Sequence, residues 1–346
     1  MDLTRSKEFS GQFLDWVRGK GKVLIVAHDN PDPDSLAAAM ALRHLLLNRT
    51  GQVATIAFGG VIGRSENRAM FDLLEVNAVP LDGLDLDQFQ IVCLVDTQPN
   101  TGNNSLPSDR TVHLVVDHHP ARDVCHLCRW SDVREDYGAS ATILLEYLLA
   151  NDITFGTKLA TSLLYAIKSE TQDLGRDWCR ADREAYLHLL PLANNRILNQ
   201  IAHPKVPRSY YAMFNRALAN ARIYHDLVVF NLHTIDNPDM VAEMADFLLR
   251  MEGVSVVLGM GFYEGTEILS MRTATPELRA GDLIRKVLAD LGTAGGHGST
   301  AGGQVRGQSG DEESQHQLEK DLTERLLAQF ELSPQQGHAL PVLLSD

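Results

Sequence analysis

Short apolar runs alternate with helical patterns through the first half of the chain. Residues 22–28, KVLIVAH, read as a buried strand. A polar loop follows, and then residues 34–48, DSLAAAMALRHLLLN, whose alanines and leucines favour a helix with Asp34 or Ser35 near its N-cap. Residues 53–58, 90–96 and 111–117 are further short β-branched runs, and the last two end in an aspartate. Continuous apolar runs of this kind suit parallel strands buried on both faces. Residues 71–76, 140–152 and 157–169 supply helices to cover such a sheet. The pattern predicts a doubly wound, mainly parallel α/β sheet over residues 1–195.

Pro191, Pro204 and Pro207 interrupt a mixed helical stretch, which predicts a helical linker over 196–225. Residues 226–346 then read as a second, smaller α/β domain. Its strands fall at 227–233, 254–262 and 267–272, and its helices at 240–250, 282–292 and roughly 312–332. The methionines at 240, 244 and 251 form a helical stripe suited to core packing. A length of 346 residues agrees with two domains, each able to bury its own core.

Composition narrows the function. Thirty-one basic residues against forty-five acidic ones leave a net charge of −14, the wrong sign for tracking a long nucleic-acid duplex. Four cysteines at irregular spacing do not frame a disulfide scaffold, and Cys125-x-x-Cys128 has no second pair to complete a zinc site. The first residues are charged throughout, and no apolar stretch is long enough to span a membrane. The expectation is a cytoplasmic protein with no membrane partner. No GxGxxG opens the first helix, so a dinucleotide is not the expected ligand.

The chemistry is concentrated at the strand ends. His28, Asp32 and Asp34 lie in HDNPDPDS directly after the first strand, with Pro31 and Pro33 stiffening the loop. Asp96 ends the third strand and Asp117 the fourth, followed at once by His118 and His119. Parallel neighbours bring all of these to one edge of the sheet, where ligands bind in open α/β folds. Aspartates gathered there repel one another, and no arginine or lysine falls inside these motifs. Divalent metal is the economical counter-charge. Hard carboxylate oxygens with a minority of imidazoles favour Mn²⁺ or Mg²⁺, with Co²⁺ and iron also compatible, and manganese is the expected ion. His113, inside a strand pattern, and His203, His225 and His233, with no carboxylates around them, read as ordinary histidines. The stretch Arg64-Ser65-Glu66-Asn67-Arg68 reads as a solvated helix start, with a place bordering the cleft as the alternative.

The motifs HDNPDPDS, LVDTQP, VVDHHP, YGASATILLEYL and AIKSETQDLGR, in this order, resemble those of the DHH phosphoesterase superfamily. SMRT and GGHGSTAGG resemble the DHHA1 domain that accompanies it. The resemblance implies two metal ions, with His28 and Asp32 holding one, Asp34 and His118 the other, and Asp96 bridging both. It implies that Asp117 supports the site from behind and that His119 touches the phosphate. Where similar proteins usually have Asp-Thr, this chain has Glu170-Thr171, with Asp173 three residues on as the alternative ligand. In the second domain the resemblance implies phosphate contacts from Arg272 and His297. Gly295, Gly296, Gly298 and Ser299 are expected to shape a glycine-rich turn with backbone N–H groups for a phosphate.

The expected activity is hydrolysis of phosphodiester or phosphomonoester bonds by a metal-activated water. The expected substrates are short oligonucleotides, cyclic dinucleotides or nucleoside 3′,5′-bisphosphates, and a homodimer is compatible with the sequence. Two other readings stand beside it. One is an inorganic pyrophosphatase or exopolyphosphatase, although the basic Arg-Lys-Lys stretch of similar pyrophosphatases is absent. The other is a nucleotide sensor without catalysis, which the departure at Glu170 leaves open.

Overall fold

The computed structural model describes residues 2–340, the side chains of Pro276 and His297 excepted. The chain divides into two compact units between Pro204 and Lys205. The first contains α1 (Thr4–Val17), β1 (Val23–Val26), α2 (Pro33–Thr50), β2 (Thr55–Phe58), α3 (Ser65–Leu73), β3 (Ala78–Pro80), β4 (Ile91–Val95) and β5 (Leu114–Asp117). It continues with β6 (Trp130–Val133), α4 (Ser140–Ala150), α5 (Thr157–Glu170), α6 (Arg180–Leu189) and α7 (Asn195–Ala202). Its six strands are all parallel in the order β3-β2-β1-β4-β5-β6. That order reverses direction between β1 and β4, so the segments leaving their carboxyl ends diverge and open a crevice.

Alternation along the strands explains the two cores. Ile25, Ile56, Cys93, Val95 and Val116 face the helices, which contribute Leu42, Leu45, Leu145 and Leu163. Leu24, Val26, Leu94 and Val115 point the other way, onto Leu81, Phe89 and Cys125. Both sets are buried, which is why the strands read as unbroken apolar runs. Among the described residues no α-helix contributes to the second cluster. Connecting segments cover that face instead, a feature the apolar pattern does not reveal. Helix α2 is buried nearly all round, starts at the N-cap Asp32 with Pro33 behind it, and ends on left-handed Gly51.

The second unit contains α8 (Arg208–Asn220), β7 (Arg222–Tyr224), β8 (Leu227–Thr234), α9 (Asp239–Leu248), β9 (Val256–Tyr263) and β10 (Thr266–Thr273). It ends with α10 (Ala280–Leu288), β11 (Thr293–His297), β12 (Thr300–Arg306), α11 (Glu312–Ala328) and β13 (His338–Ala339). Its seven strands run in the order β11-β12-β10-β9-β8-β7-β13, with only β8 and β9 parallel. Ile284, Val287, Leu322 and Leu326 of α10 and α11 pack on one face, and Ala217, Met244 and Leu248 of α8 and α9 on the other. The stretch expected as a helical linker is therefore divided. Ile201 of α7 belongs to the first core and Ala217 of α8 to the second unit.

The glycine-rich stretch is corrected from a turn to a hairpin. Gly295 and Gly296 lie in β11, paired with Gly302 and Ala301, and only Gly298 and Ser299 form the turn. The glycines serve close packing. A Cβ on Gly281 at the start of α10 would lie 2.2 Å from the Gly296 carbonyl oxygen, and one on Gly303 would lie 2.3 Å from Leu288 Cδ1. Gly296 itself has φ 147, a conformation that side chains disfavour.

Candidate metal centre

The site lies at the switch point, where β1 and β4 are neighbours. The loop after β1 is pinned on both sides. Asp29 accepts hydrogen bonds from Ser105 N and Ser105 Oγ at 2.9 and 2.7 Å, and Asn30 Oδ1 accepts one from Val61 N at 2.9 Å. Asp32 then caps α2, its Oδ1 accepting from Ser35 N at 2.9 Å. Asp96 follows β4 directly in a left-handed conformation, φ 58, which turns its side chain away from the strand's alternation. Non-glycine residues held this way are concentrated at functional sites.

Asp96 is the centre of the arrangement. Its Oδ2 lies 3.6 Å from His28 Nε2, which is also 3.4 Å from Asp32 Oδ1. Its Oδ1 lies 3.6 Å from His118 Nε2 and 3.7 Å from His119 Nδ1. Two groups with metal-ligand spacing result, His28/Asp32/Asp96 and Asp96/His118/His119, sharing one carboxylate. Asp34 Oδ2 stands 3.9 Å from His118 Nε2. Both Asp34 oxygens accept backbone N–H groups at the start of α4, from Ser140 and Ala141 at 2.7 and 2.8 Å.

The ring nitrogens show that these residues suit a cation. His118 Nδ1 faces the Tyr137 carbonyl at 3.1 Å, and a carbonyl only accepts, so Nδ1 carries the proton. Burial, reinforced by the neighbouring His119, pulls the His118 ring down to about 4, leaving it neutral with a lone pair on Nε2. That atom is buried and has no hydrogen-bond partner among the described residues. A lone pair facing two carboxylates is repulsive unless positive charge stands between them. His28 repeats the geometry, with Nδ1 donating to the Asp29 carbonyl at 2.8 Å. Burial lowers the His28 ring, but the Asp32 charge and hydrogen bonds outweigh it and raise it to about 9. The carboxylates demand positive charge at that position.

The carboxylates report the same demand. Burial, then the charges of Asp32 and Glu170, pushes Asp34 well above the usual range despite its two N–H donors. Burial, then Asp34, Asp32 and Asp117, does the same to Asp96. Asp32 is the exception, because His28 and the capping bond hold it low against the cost of burial. A divalent ion fits this donor set, hard oxygens with neutral imidazoles.

Asp117 plays a different part. Its Oδ1 accepts from His119 Nδ1 at 2.8 Å and its Oδ2 from Gln98 Nε2 at 2.7 Å. The carboxylate is lowered although burial opposes this, because those bonds stabilise its charge. It orients His119, whose ring burial lowers but Asp117 raises overall. Sequence reasoning missed two members of this shell. Ser140 Oγ donates to Asp96 Oδ1 at 2.9 Å, and Gln98 fastens Asp117 to the segment that carries Arg122 and Cys125. Gln98 stands two residues after Asp96, and that proximity was the available signal. Asn67, in the stretch expected as a solvated helix start, is buried and donates to the Pro31 carbonyl at 3.3 Å.

Glu170 ends α5 with its carboxyl raised to about 7, first by burial and next by the Asp32 charge. Asp34, Asp96, His28 and His119 all respond to it. It falls in neither ligand-spaced group. Asp173 is exposed and bound by Lys168 Nζ and, at 3.4 Å, by Tyr186 Oη.

In the second unit Arg272 is buried on β10. Its Nε pairs with Asp246, and its Nη1 donates to Ser270 Oγ at 2.8 Å and to the Met271 carbonyl at 3.0 Å. His297 ends β11 by pairing with Thr300, and its side chain lies outside the described residues. His113 stacks on Trp16 and accepts from Val92 N, as an ordinary histidine does. None of the described helices is long and apolar enough to cross a membrane.

Residues 22–167 match the model of the DHH family, N-terminal domain, and residues 224–327 that of the DHHA1 domain. The chain belongs to the DHH/DHHA1 phosphoesterase superfamily. An uncharacterised protein of Methanocaldococcus jannaschii is 34% identical over 289 residues, covering 83% of this chain and 58% of the relative. A probable manganese-dependent inorganic pyrophosphatase of Listeria monocytogenes is 27% identical over 150 residues, 43% of this chain and 48% of the relative. The chain thus spans about half the length of these relatives. Among solved structures, an exopolyphosphatase-related protein from Bacteroides fragilis has the same fold, with TM-score 0.72, 15% identity, and 93% and 98% of the two chains covered. RecJ of Thermus thermophilus, solved with Mn²⁺, shares the fold at TM-score 0.53 and 14% identity, over 95% of this chain and 55% of that one.

Proposed function

We propose that the protein is a manganese-dependent phosphoesterase. It hydrolyses phosphodiester or phosphomonoester bonds of short oligonucleotides or nucleotides. The carrying observation is Asp96, whose two oxygens face two separate donor sets, one of which ends in the orphaned Nε2 of His118. In this reading His28, Asp32, Asp96, Asp34, His118 and Glu170 hold a pair of divalent ions. When bound, the ions supply a water of lowered pKa and a counter-charge for the phosphoryl oxygens.

The chain's own groups then divide the work. Tyr137 and Asp29 fix the tautomers of His118 and His28, so that each presents Nε2 to the site. Ser140 and the first N–H groups of α4 hold Asp96 and Asp34 in place. Asp117 keeps the His119 ring aligned, and His119 donates to the phosphoryl oxygen as charge builds on it. A phosphate contact from Arg272 requires exchange of its Asp246 partner.

Phosphoanhydride hydrolysis is the second reading, supported by the pyrophosphatase relatives, which match over 150 residues of this chain. The deciding experiment is a substrate panel with Mn²⁺. It comprises pyrophosphate, polyphosphate, adenosine 3′,5′-bisphosphate, cyclic dinucleotides and RNAs of two to five residues. Turnover of the nucleotide esters is expected. Turnover confined to pyrophosphate and polyphosphate overturns the first reading, and turnover of none overturns both.

A further inference from the structure

Residues 171–177 form an unusual loop behind the metal centre. Gln172, Asp173 and Leu174 are successive non-glycine residues in the left-handed region, with φ 49, 58 and 62, and Asp177 follows with φ 45. L-residues visit this region singly, not in runs, so the surrounding contacts must impose the shape. Thr171 imposes it. Its hydroxyl donates to the Ile167 carbonyl at 2.6 Å and accepts from Leu174 N at 3.1 Å. Its carbonyl accepts from Gly175 N and Arg176 N, each at 2.9 Å. This closure folds the chain back on α5 and returns Arg176 to Glu170, where Nη2 stands 3.4 Å from the Glu170 carbonyl oxygen.

The guanidinium delivered there is under-used. Arg176 Nε is buried and has no hydrogen-bond partner among the described residues. Asp177 Oδ2, at 3.6 Å, is within ion-pair range but too far to accept that proton. The Nη2 contact is at the long limit for a hydrogen bond. That contact sets the guanidinium against Glu170, the residue whose carboxyl is assigned to the metal centre. The strand-end motifs contain no arginine or lysine, so Arg176 brings to the cluster a fixed positive charge with a planar fork.

We propose that Arg176 binds a phosphoryl oxygen of the substrate beside the metal centre, through the Nε side of its fork. This rests on the phosphoesterase reading and names a further anion-binding group of that site. Inorganic phosphate is the probe, titrated by calorimetry into the 346-residue chain loaded with Mn²⁺. Arg176→Ala weakens phosphate binding about tenfold or more, the loss of a charge-assisted hydrogen bond, with manganese stoichiometry unchanged. Arg176→Lys recovers only part of the loss, since an ammonium has no fork, and added methylguanidinium recovers more for Arg176→Ala.

A measurement on the unmodified sequence guards against an unstable variant. Phosphate should slow phenylglyoxal modification of Arg176, followed by mass spectrometry. Equal phosphate affinity with and without the guanidinium, no binding by the wild type, or no protection of Arg176 each overturns the assignment. Phosphate binding that depends on Arg176, in a protein that cleaves none of the esters, supports it while retiring the phosphoesterase reading.

Discussion

Two clusters of buried carboxylates stand on the same sheet. On the β6 side, Asp132 and Glu146 are each 1% exposed and close around Arg134, itself 3% exposed. The guanidinium reaches Asp132 Oδ2 at 2.7 Å, Glu146 Oε2 at 2.7 Å and Tyr137 Oη at 3.0 Å. Tyr147 and Ser6 donate to the same carboxylates. Burial raises Asp132, but its bonds to Arg134 prevail and hold it below the usual range. At the ends of β1 and β4 the same fold buries Asp34 and Asp96 without any such partner, and both are pushed well above that range. An uncompensated buried charge costs several kcal/mol, so the second cluster is stable only with protons or cations that come from solution. One cluster holds the fold together, and the other is reserved for a ligand.

The sharpest way to break this comparison is to remove Asp96. Asp96→Asn should lower turnover about a thousandfold or more and abolish tight manganese binding, because both donor sets lose the shared carboxylate. An unchanged melting temperature without metal would show the fold intact, and near-normal activity would refute the two-set arrangement. Arg134→Leu should act in the opposite way. It strands two buried carboxylates and costs about 3–5 kcal/mol of stability in denaturant unfolding. Manganese stoichiometry of the folded fraction should stay the same.

The pH dependence separates the clusters next. Glu170, raised from 4.5 to about 7, favours its protonated form in the folded state. Its contribution is present below about 4.5 and is lost as pH rises through about 7. His28, raised from 6.5 to about 9, contributes fully below about 6.5 and loses this as pH rises through about 9. The chelator-treated protein should therefore lose stability between about pH 6 and 9. Excess Mn²⁺ should flatten that decline and release protons on binding, read by melting curves and by calorimetry in buffers of different ionisation heat. A metal-free protein that gains stability over this range would contradict the charge assignment. The smallest effect concerns the fourth motif. Glu170→Gln should weaken manganese binding about tenfold. Asp173→Asn should leave it unchanged, since that carboxylate is exposed and held by Lys168 and Tyr186.

Much of the site was legible because its ligands end strands. His28, Asp96 and the Asp117-His118-His119 run each follow an unbroken apolar segment, and parallel pairing leaves one place for all of them. What pairs with them was hidden. Ser140 and Ala141 clamp Asp34 from more than a hundred residues away. Gln98 looks like any loop amide until Asp117 is seen beside it. The glycines of 295–303 misled for a physical reason. Glycine suits a phosphate loop and also the close approach of a helix to a strand, and here Gly281 of α10 meets β11 and Gly303 of β12 meets α10 at contact distance.

The sequence by itself determined the periodicities, hence a parallel α/β unit followed by a second sheet, and the chemical type of the groups at the strand ends. These depend on residues close together in the chain. The tertiary structure alone decided that Asp96 divides its oxygens between His28 on one side and His118 and His119 on the other, that His118 keeps an unprotonated nitrogen in the interior, and that a left-handed turn carries Arg176 to Glu170. Each of these is a matter of burial and of direction between distant segments, and such terms arise only when the strands have packed.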